Sequence, residues 1–324
     1  MICVTSAHYA IFVNGILTGK IIITRGIRQG DSISLYIFLI CAEVLSSSLL
    51  KVDRKCVLEG VLTSKRGPRL NHLFFADDSL LFCRADMCHW SCLSNLLKNY
   101  EIALGQKLNT SKTAIFFSRN TPQEAWEKIL EESRIPSSQR YDTYLGLPTL
   151  VGKSRTKEFK GIIDKVWKRL QNWKLKLLSQ AGQEILLKAI IQAILMYCMS
   201  VFMLPQTLCS KINSLMQQFW WGASSINWMR WSKLGTPKSK GGMGFQDFNC
   251  FDKALLAKQC WRPWRSLDSL VSWILRAKYY ANSSILEAKL GTNPSYTWRN
   301  ILGGSDILKG GLYCKIGNGE TTRI

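Results

Sequence analysis

The chain has 324 residues, of which 47% are hydrophobic, and its 43 basic and 22 acidic side chains give a formal net charge of +21. This length is sufficient for two domains, and the apolar fraction excludes an intrinsically disordered composition. A positive charge of this size indicates a polyanionic partner, and nucleic acid is expected before a membrane surface.

The cysteines indicate a reducing environment. There are eleven of them, an odd number, without the framework of a small secreted protein. We therefore expect free thiols, no disulfide-linked partner, and a location in the nucleus or the cytoplasm. Cys83, Cys88, His89 and Cys92 come nearest to a metal cluster, but their spacing matches no zinc template, which favours core or incidental cysteines. The N-terminus has no basic segment before an apolar core, so secretion is not expected.

Two apolar runs raise the question of a membrane span. Residues 33–50 contain Glu43 and several serines, and residues 189–204 contain Gln192. Both runs are shorter than the roughly 20 apolar residues that a span requires. The sequence therefore predicts two buried helices and no membrane partner.

The N-terminal residues predict strands over 9–13 and 19–24, with Asn14-Gly15 as a turn signal. The loop that follows, 25–34, contains two arginines, two glycines and a glutamine. Its Asp31 or Ser32 can cap a helix over 33–51 that is apolar nearly all round, which predicts burial. A helix N-terminus beside arginines suits a phosphate or a nucleotide; the alternative is a solvated basic turn capping a core helix.

A pair of adjacent carboxylates is the main candidate for a catalytic or metal-binding site. Asp77 and Asp78 lie between two apolar runs in the segment 71–82, which predicts a strand, a tight turn and a second strand. Paired carboxylates at an exposed tip suit a divalent metal, because Mg²⁺ prefers oxygen ligands and keeps water or phosphate in its other positions. The alternative is an ordinary hairpin, since Asp is a favoured turn residue.

The residues after this hairpin complete an α+β layer. A helix over 90–103, a basic loop over 104–113 and a strand over 114–118 are predicted in this order. A strand, a helix and a strand around a carboxylate tip are typical of an α+β fold. The polar stretch 119–142 is the expected linker to the second half.

Residues 153–178 predict one amphipathic helix. Its basic face is a candidate surface for the backbone of a nucleic-acid duplex, and the alternative is a solvated charged face. The predicted apolar face consists of Phe159, Ile163, Val166, Leu170, Trp173 and Leu177. The predicted basic face consists of Lys157, Lys160, Lys165, Lys168, Arg169, Lys174 and Lys176.

The rest of the chain is expected to be mainly helical. Ser179 is a candidate N-cap for a helix over 183–203, residues 232–246 predict a loop rich in Lys and Gly, and helices resume over 255–279. Four tryptophans are expected in the core or at a helix-pair interface rather than stacked on bases: Trp220, Trp221, Trp228 and Trp231.

Four motifs occur in one order: Arg-Gly-Ile-Arg-Gln-Gly-Asp at 25–31, Phe-Ala-Asp-Asp at 75–78, Gly-Gln-Lys-Leu-Asn-Thr-Ser-Lys at 105–112 and Tyr-Leu-Gly-Leu-Pro at 144–148. Together they resemble the palm motifs of reverse transcriptases from plant non-LTR (LINE-type) retrotransposons. The likeness continues through thumb-like and downstream segments at 167–174, 178–182, 219–222, 241–244 and 258–262.

The resemblance implies an α+β fold: a partial palm with an antiparallel sheet and helices, followed by a mainly α-helical thumb-like and C-terminal region. The implied domains are the partial palm (1–120), a connector with the Tyr-Leu-Gly-Leu-Pro motif (121–152), the thumb-like region (153–222) and a C-terminal retrotransposon-type segment (223–324). The implied partners are an RNA template, a DNA primer and deoxynucleoside triphosphates.

The resemblance also assigns roles to residues. Asp77 and Asp78 would bind Mg²⁺, or Mn²⁺ in its place, and Lys112, or less readily Lys107, would lie near the departing pyrophosphate. The nucleotide and template would meet Arg28, Gln29 and Gly30. The primer end would meet Tyr144, Leu145 and Gly146. The nucleic-acid backbone would meet Lys165, Lys168, Arg169 and Lys174.

One expected feature is missing from the 324 residues. The family places another catalytic aspartate on a strand upstream of the 25–31 loop, and here no acidic residue precedes Asp31. We therefore expect a chain truncated at both ends, a weakly held metal and no polymerase activity. Ser32 and Leu35 also replace prolines that are usual in the family, and Phe75 stands where tyrosine is frequent. Two alternatives stay open: a non-catalytic basic nucleic-acid-binding protein, and a decayed remnant without function.

Overall fold

The computed structural model is an α+β protein, which confirms the predicted fold class. Contacts divide the chain into two compact units, one formed by Met1–Thr63 and Pro68–Arg140 and the other by Ser64–Gly67 and Tyr141–Ile324. The predicted domain boundaries stay predictions. The structure describes residues 8–19, 21–22, 30, 32–55, 57–137, 143–149, 151–152, 155–174, 178–222 and 226–313.

The strands of the first unit are β1 (His8–Tyr9), β2 (Phe12–Val13), β3 (Ile16–Leu17), β4 (Ile21–Ile22), β5 (Val61–Leu62), β6 (Arg69–Leu70), β7 (His72–Phe75) and β8 (Asp78–Leu81). They pair as antiparallel ladders: β1 with β4, β2 with β3, β5 with β6 and β7 with β8. Asn14 and Gly15 join β2 to β3 with φ values of 50° and 82°. Positive φ at both positions is the type I′ turn that an Asn-Gly pair favours.

The first helix, α1 (Ser32–Arg54), begins close to the predicted position, but the prediction that it is buried is wrong. Only Leu45 and Leu49 are buried, while Leu35, Leu39 and Ile40 are exposed together with other apolar side chains. Among the described residues, α1 packs against the next helix and β7, so one face is covered and the rest is not.

Within the described part of the chain, two helices are long and apolar enough to cross a membrane by length and composition: Ser32–Arg54 and Gln180–Met199. The length argument against a span therefore fails for residues 33–50, which lie within the first helix, whereas the second helix overlaps residues 189–204 only in part. Core helices of soluble proteins satisfy the same criteria, so this finding alone does not assign a membrane partner.

The carboxylate hairpin packs against a small apolar core to which two helices contribute. Helix α2 (Met87–Leu104) begins at the N-cap Asp86 and ends at Gly105, which has the left-handed φ of 68° that favours glycine. Its buried Leu93 packs with Leu49 and Leu58, and Phe74 of β7 lies against this cluster. Burying these apolar side chains holds the hairpin, α1 and α2 together as the core of the first unit.

The predicted strand over 114–118 is wrong. In the described residues Ile115 forms a single isolated bridge with Ser137, so no ladder develops. The ring of Phe117 packs instead against Trp126, with the ring centroids 5.6 Å apart. Trp126 belongs to α3 (Gln123–Ser133), a helix within the stretch that the sequence assigns to a polar linker.

The second unit contains a hairpin and a helical core. Its strands are β9 (Thr143–Tyr144) and β10 (Leu147–Pro148), which pair antiparallel. Its helices are α4 (Arg155–Glu158), α5 (Lys160–Lys174), α6 (Gln180–Leu186), a π-helix (Leu187–Gln192), α7 (Ala193–Met199), α8 (Gln206–Trp221), α9 (Trp231–Leu234), a 3₁₀-helix (Lys238–Lys240), α10 (Phe248–Arg265), α11 (Leu270–Tyr279) and α12 (Tyr296–Gly311).

The apolar periodicity of 153–178 correctly predicts which residues of this region are buried. Phe159, Ile163, Val166, Leu170 and Trp173 all lie in the main core, and Leu177 is outside the described residues. The single predicted helix is interrupted at Phe159, whose side chain is completely buried between α4 and α5. Ser179 is the N-cap of the next helix, as predicted, and accepts the Gly182 N–H at 3.3 Å.

Three of the four tryptophans follow the prediction. Trp220 is buried, and Trp221 and Trp231 pack against the main core. The prediction is wrong for Trp228, which is 79% exposed. The spacing of tryptophans in the sequence does not distinguish exposed side chains from buried ones. The exposure of Trp228 therefore could not be predicted from the sequence.

Candidate functional site

The carboxylate tip is a hairpin with a two-residue turn. The pairing of Phe75 with Asp78 leaves Ala76 and Asp77 as the central turn residues. Ala76 has a φ of 49°, and Asp77 is not among the residues with positive φ. Positive φ at the first central position is typical of a type II′ turn, where glycine is usual. The predicted hairpin is therefore confirmed, with a strained alanine at its tip.

Both carboxylates are exposed at this tip. Asp77 lies in the turn and Asp78 is the first residue of β8. Two exposed carboxylates fit one hard cation that also keeps water or phosphate ligands. Within the described part of the chain, no group of three or more His, Cys, Asp or Glu side chains is placed to hold a metal.

A partly buried polar cluster fixes the base of the hairpin. The Asn71 side chain donates to the carbonyl of Leu49 at 3.3 Å, and its Oδ1 lies 2.6 Å from Nδ1 of His72. Nε2 of His72 lies 2.9 Å from Oγ of Ser46 on α1. Burial lowers the pKa of His72, so its ring favours the neutral form that these contacts suit. Sequence reasoning missed this cluster, because only the fold brings Ser46 next to His72.

Of the three cysteines at positions 83–92, two have a structural role and the third, Cys88, is exposed. Cys83 and Cys92 pack against the core of the first unit. Burial raises the pKa of the Cys83 thiol to about 11, so it stays protonated at neutral pH. His89 bonds through Nδ1 to the N-cap Asp86 at 2.7 Å. Its role is therefore that of a capping partner at the start of α2.

The predicted nucleotide side of the site is only partly described. Arg28 and Gln29 lie outside the described residues, and Gly30 has a φ of 89°. Lys112 lies in an exposed turn closed by its own N–H, which donates to the carbonyl of Asn109 at 3.1 Å. No hydrogen bond or ion pair among the described residues joins Lys112 to Asp77. The predicted role of Lys112 stays a prediction.

The predicted primer motif forms a second strained hairpin. Leu145 and Gly146 join β9 to β10 with φ values of 52° and 75°, which is a type I′ turn. The hydroxyl of Tyr197 on α7 donates to the Leu145 carbonyl at 2.9 Å. Sequence reasoning missed Tyr197, since it is 52 positions from Leu145 and no local pattern marks it.

Lys165, which the sequence predicts to contact the nucleic-acid backbone, lies near this turn. Nζ of Lys165 lies 3.9 Å from the point where a Cβ on Gly146 would be. Lys168 and Arg169 are exposed on the same helix, α5, and the side chain of Lys174 lies outside the described residues. The turn and α5 thus form one cationic surface on the second unit, which suits a phosphate backbone.

Comparison with known proteins supports the same family. Residues 2–149 match the family described as reverse transcriptase (RNA-dependent DNA polymerase). An uncharacterized mitochondrial protein of Arabidopsis thaliana is 42% identical over 137 residues, which are 41% of this chain and 89% of that protein. A second such protein from the same plant is 43% identical over 72 residues, 22% of this chain and 59% of its own length.

A third similar protein of Arabidopsis thaliana carries the name putative ribonuclease H protein. It is 29% identical over 185 residues, which are 55% of this chain but only 30% of that protein. The family match covers the carboxylate hairpin and the Leu145–Gly146 turn, and the similarity to plant proteins agrees with the ordered motifs. The chain therefore belongs to the reverse transcriptase (RNA-dependent DNA polymerase) family, and it is a reverse-transcriptase-like protein of a plant retroelement.

Proposed function

We propose that the Asp77–Asp78 tip is the metal-binding half of a nucleotidyl-transfer site for RNA-directed DNA synthesis. The observation that carries this proposal is the strained turn at Ala76, which presents two exposed carboxylates within the segment that matches the family. Backbone strain at a surface tip is typical of functional sites. The partly buried cluster of Asn71 and His72 supports it by fixing the base of the hairpin.

The proposed ligand of Asp77 and Asp78 is Mg²⁺, or Mn²⁺ in its place. When bound, the metal supplies positive charge that neutralises and orients the nucleotide phosphates. Asp77 and Asp78 would hold the metal, and their exposed position would leave room for a triphosphate. The expected affinity is weak, since one or two carboxylates bind Mg²⁺ firmly only together with substrate phosphates.

We further propose that the 324-residue chain by itself does not extend a primer. Two metals about 3.5–4 Å apart require more carboxylates than one turn provides. Among the described residues, no third acidic side chain is grouped with Asp77 and Asp78 to hold a metal. The template, the primer and the nucleotide would then be partners by descent.

The metal site is tested by Mn²⁺ titration followed by electron paramagnetic resonance. We expect one weak site in the wild type, loss of that site in the Asp77→Asn/Asp78→Asn variant, and retention in the control Asp306→Asn, which changes an exposed aspartate of the second unit. Unchanged Mn²⁺ binding in the double variant would refute the site. Primer extension on an RNA template that disappears with Asp77→Asn would refute the proposed inactivity.

A second candidate function is nucleic-acid binding without catalysis. It is favoured by the position of Lys165 beside the Leu145–Gly146 turn and by the exposed Lys168 and Arg169. Affinity for duplex nucleic acid should fall with salt at a log–log slope of about −0.9 per phosphate contact. The Lys165→Gln/Lys168→Gln/Arg169→Gln variant should have a shallower slope than the wild type. Equal slopes would exclude this surface.

A further inference from the structure

The residues 226–246, here called the 226–246 loop, fold back on themselves. Trp231 stacks on Phe245, with ring centroids 4.7 Å apart and an interplanar angle of 16°. The Met243 N–H donates to the carbonyl of Leu234 at 2.9 Å, and the Gly244 N–H to that of Thr236 at 2.9 Å. Phe245 is part of the main core and Trp231 packs against it, so the segment between them is held in place by packing and hydrogen bonds.

A partly buried ion network attaches this loop to α6 and the π-helix. Nζ of Lys188 on the π-helix donates to the Met243 carbonyl, and it lies 2.7 Å from Oε1 of Glu184. Glu184 also pairs with Lys238 of the loop at 3.0 Å. Hydrogen bonds from both lysines lower the pKa of Glu184, so the carboxylate stays charged and keeps the loop attached. These contacts therefore attach the part of the loop from Trp231 to Phe245 to the helices beneath it.

The outer surface of the loop is cationic. The sequence from 226 to 246 contains no aspartate or glutamate. Arg230, Lys233, Lys238 and Lys240 are exposed, and only Lys238 takes part in an ion pair between described residues. Three cations are thus available to an anionic partner, with no acidic side chain in the loop to oppose its approach.

Two apolar side chains of the same segment are exposed as well. Trp228 is 79% exposed and Ile226 is 72% exposed. An exposed indole forgoes the favourable burial of a large aromatic surface, and exposed aromatic side chains mark interaction sites. Exposed cations and an exposed indole within one short segment match the chemistry of a polynucleotide, in which phosphates alternate with flat bases.

We propose that the 226–246 loop binds single-stranded nucleic acid, with Arg230, Lys233 and Lys240 at the phosphates and Trp228 stacked on a base. The strand must be single because a duplex keeps both faces of its internal bases stacked. This inference rests on the proposed function, since it assumes a nucleic-acid partner, and it adds a surface separate from α5 and the Leu145–Gly146 turn. Because residues 231–245 are already packed and hydrogen-bonded, their backbone loses little conformational entropy on binding.

The test is fluorescence anisotropy of the full chain with a labelled oligothymidylate, repeated at several salt concentrations. Trp228→Ala should weaken binding roughly 5- to 150-fold with an unchanged salt slope, because stacking carries no charge. Trp228→Phe should retain most of the affinity. The Lys233→Gln/Lys240→Gln variant should make the slope shallower by about 1.4, at about 0.7 per lost phosphate contact.

Matched controls use the same unit. Trp273→Ala removes an indole that is 52% exposed on α11, and Lys253→Gln/Lys289→Gln removes two exposed lysines elsewhere. Neither control should change the affinity or the slope as much as the loop variants. Equal effects of the loop variants and their controls would overturn the inference, as would wild-type affinity in Trp228→Ala.

The same experiment separates this inference from the proposed function. Loss of binding in the Lys165→Gln/Lys168→Gln/Arg169→Gln variant, with wild-type behaviour of both loop variants, would overturn the inference and leave the proposed function standing. Absence of oligonucleotide binding by the wild type would overturn both. If the loop variants instead change only self-association in light scattering, the loop is a protein interface and the inference is wrong.

Discussion

Ala76 has a left-handed backbone at the point where the two carboxylates are presented. A non-glycine residue in this region costs roughly 1–2 kcal/mol, while glycine increases the entropy of the unfolded chain by about 0.5–1 kcal/mol. Ala76→Gly should therefore stabilise the hairpin by about 0.5–1 kcal/mol, measured by hydrogen exchange of the β7 and β8 amides. The control Ala114→Gly changes an exposed alanine with ordinary φ and should destabilise. Destabilisation by both would show that Ala76 is not strained.

Asp252 is a buried carboxylate that accepts one hydrogen bond within the described part of the chain, from the Leu204 N–H at 2.7 Å. Burial raises the pKa of Asp252 to about 7, and the groups near it, Cys198 and Cys209, are buried thiols whose pKa values are raised too. The folded pKa exceeds the unfolded value of about 3.9, so the contribution of Asp252 to stability is fully present below pH 4. That contribution is lost as the pH rises towards 7.

Asp252→Asn should remove this pH dependence. The asparagine oxygen still accepts the Leu204 N–H, but it needs no charge in the core. Near pH 4 the variant and the wild type should have similar free energies of unfolding. At pH 8 the variant should be more stable by about 2 kcal/mol. Urea unfolding at pH 4, 6 and 8 measures this difference. A constant difference across that range, or the same trend in Asp306→Asn, would contradict the prediction.

At the scale of elements, α10 and α12 approach each other at Gly304. A Cβ at Gly304 would lie 2.5 Å from the Ala257 nitrogen, a distance that forces the helices apart, whereas a Cβ at Gly310 would meet nothing within 4 Å. Gly304→Ala should lower the free energy of unfolding by about 1–3 kcal/mol, despite the better helix propensity of alanine. Gly310→Ala, in the same helix, should raise it by up to about 1 kcal/mol. Thermal unfolding compares the two, and stabilisation by both would show that the helices are not in close contact.

Elements with a regular local pattern could be predicted from the sequence. The apolar residues of α5 recur at helical spacing, and those that the structure describes are buried as expected. The carboxylate hairpin could also be predicted, because strand patterns flank a strong turn signal. Non-local contacts could not be predicted. The bond from Tyr197 to Leu145 joins α7 to a distant turn, and the exposure of α1 depends on what packs against it rather than on its own composition.

At the scale of the molecule, the net charge of +21 suits the proposed nucleic-acid partner. The second unit has exposed cations on α5 beside the Leu145–Gly146 turn and on the 226–246 loop, and the first unit has the carboxylate tip. In the proposed function, nucleic-acid affinity and metal affinity thus depend on different residues, so we expect substitutions that weaken one to leave the other unchanged.

The exposed apolar face of α1 predicts self-association of the whole molecule. Leu39 is 54% exposed and Ile40 is 65% exposed, next to Leu35 and Tyr36, which are exposed as well. Contiguous apolar surface of this kind drives association or aggregation, and it is also what the decayed-remnant alternative expects.

Leu39→Gln/Ile40→Gln should lower the apparent mass in light scattering without lowering the thermal unfolding temperature, because neither side chain is buried. The control Leu45→Gln places an amide in the core of the first unit and should destabilise that unit by several kcal/mol. A monomeric wild type at micromolar concentrations would show that this face does not associate, and a cooperative unfolding transition in that monomer would argue against a decayed product.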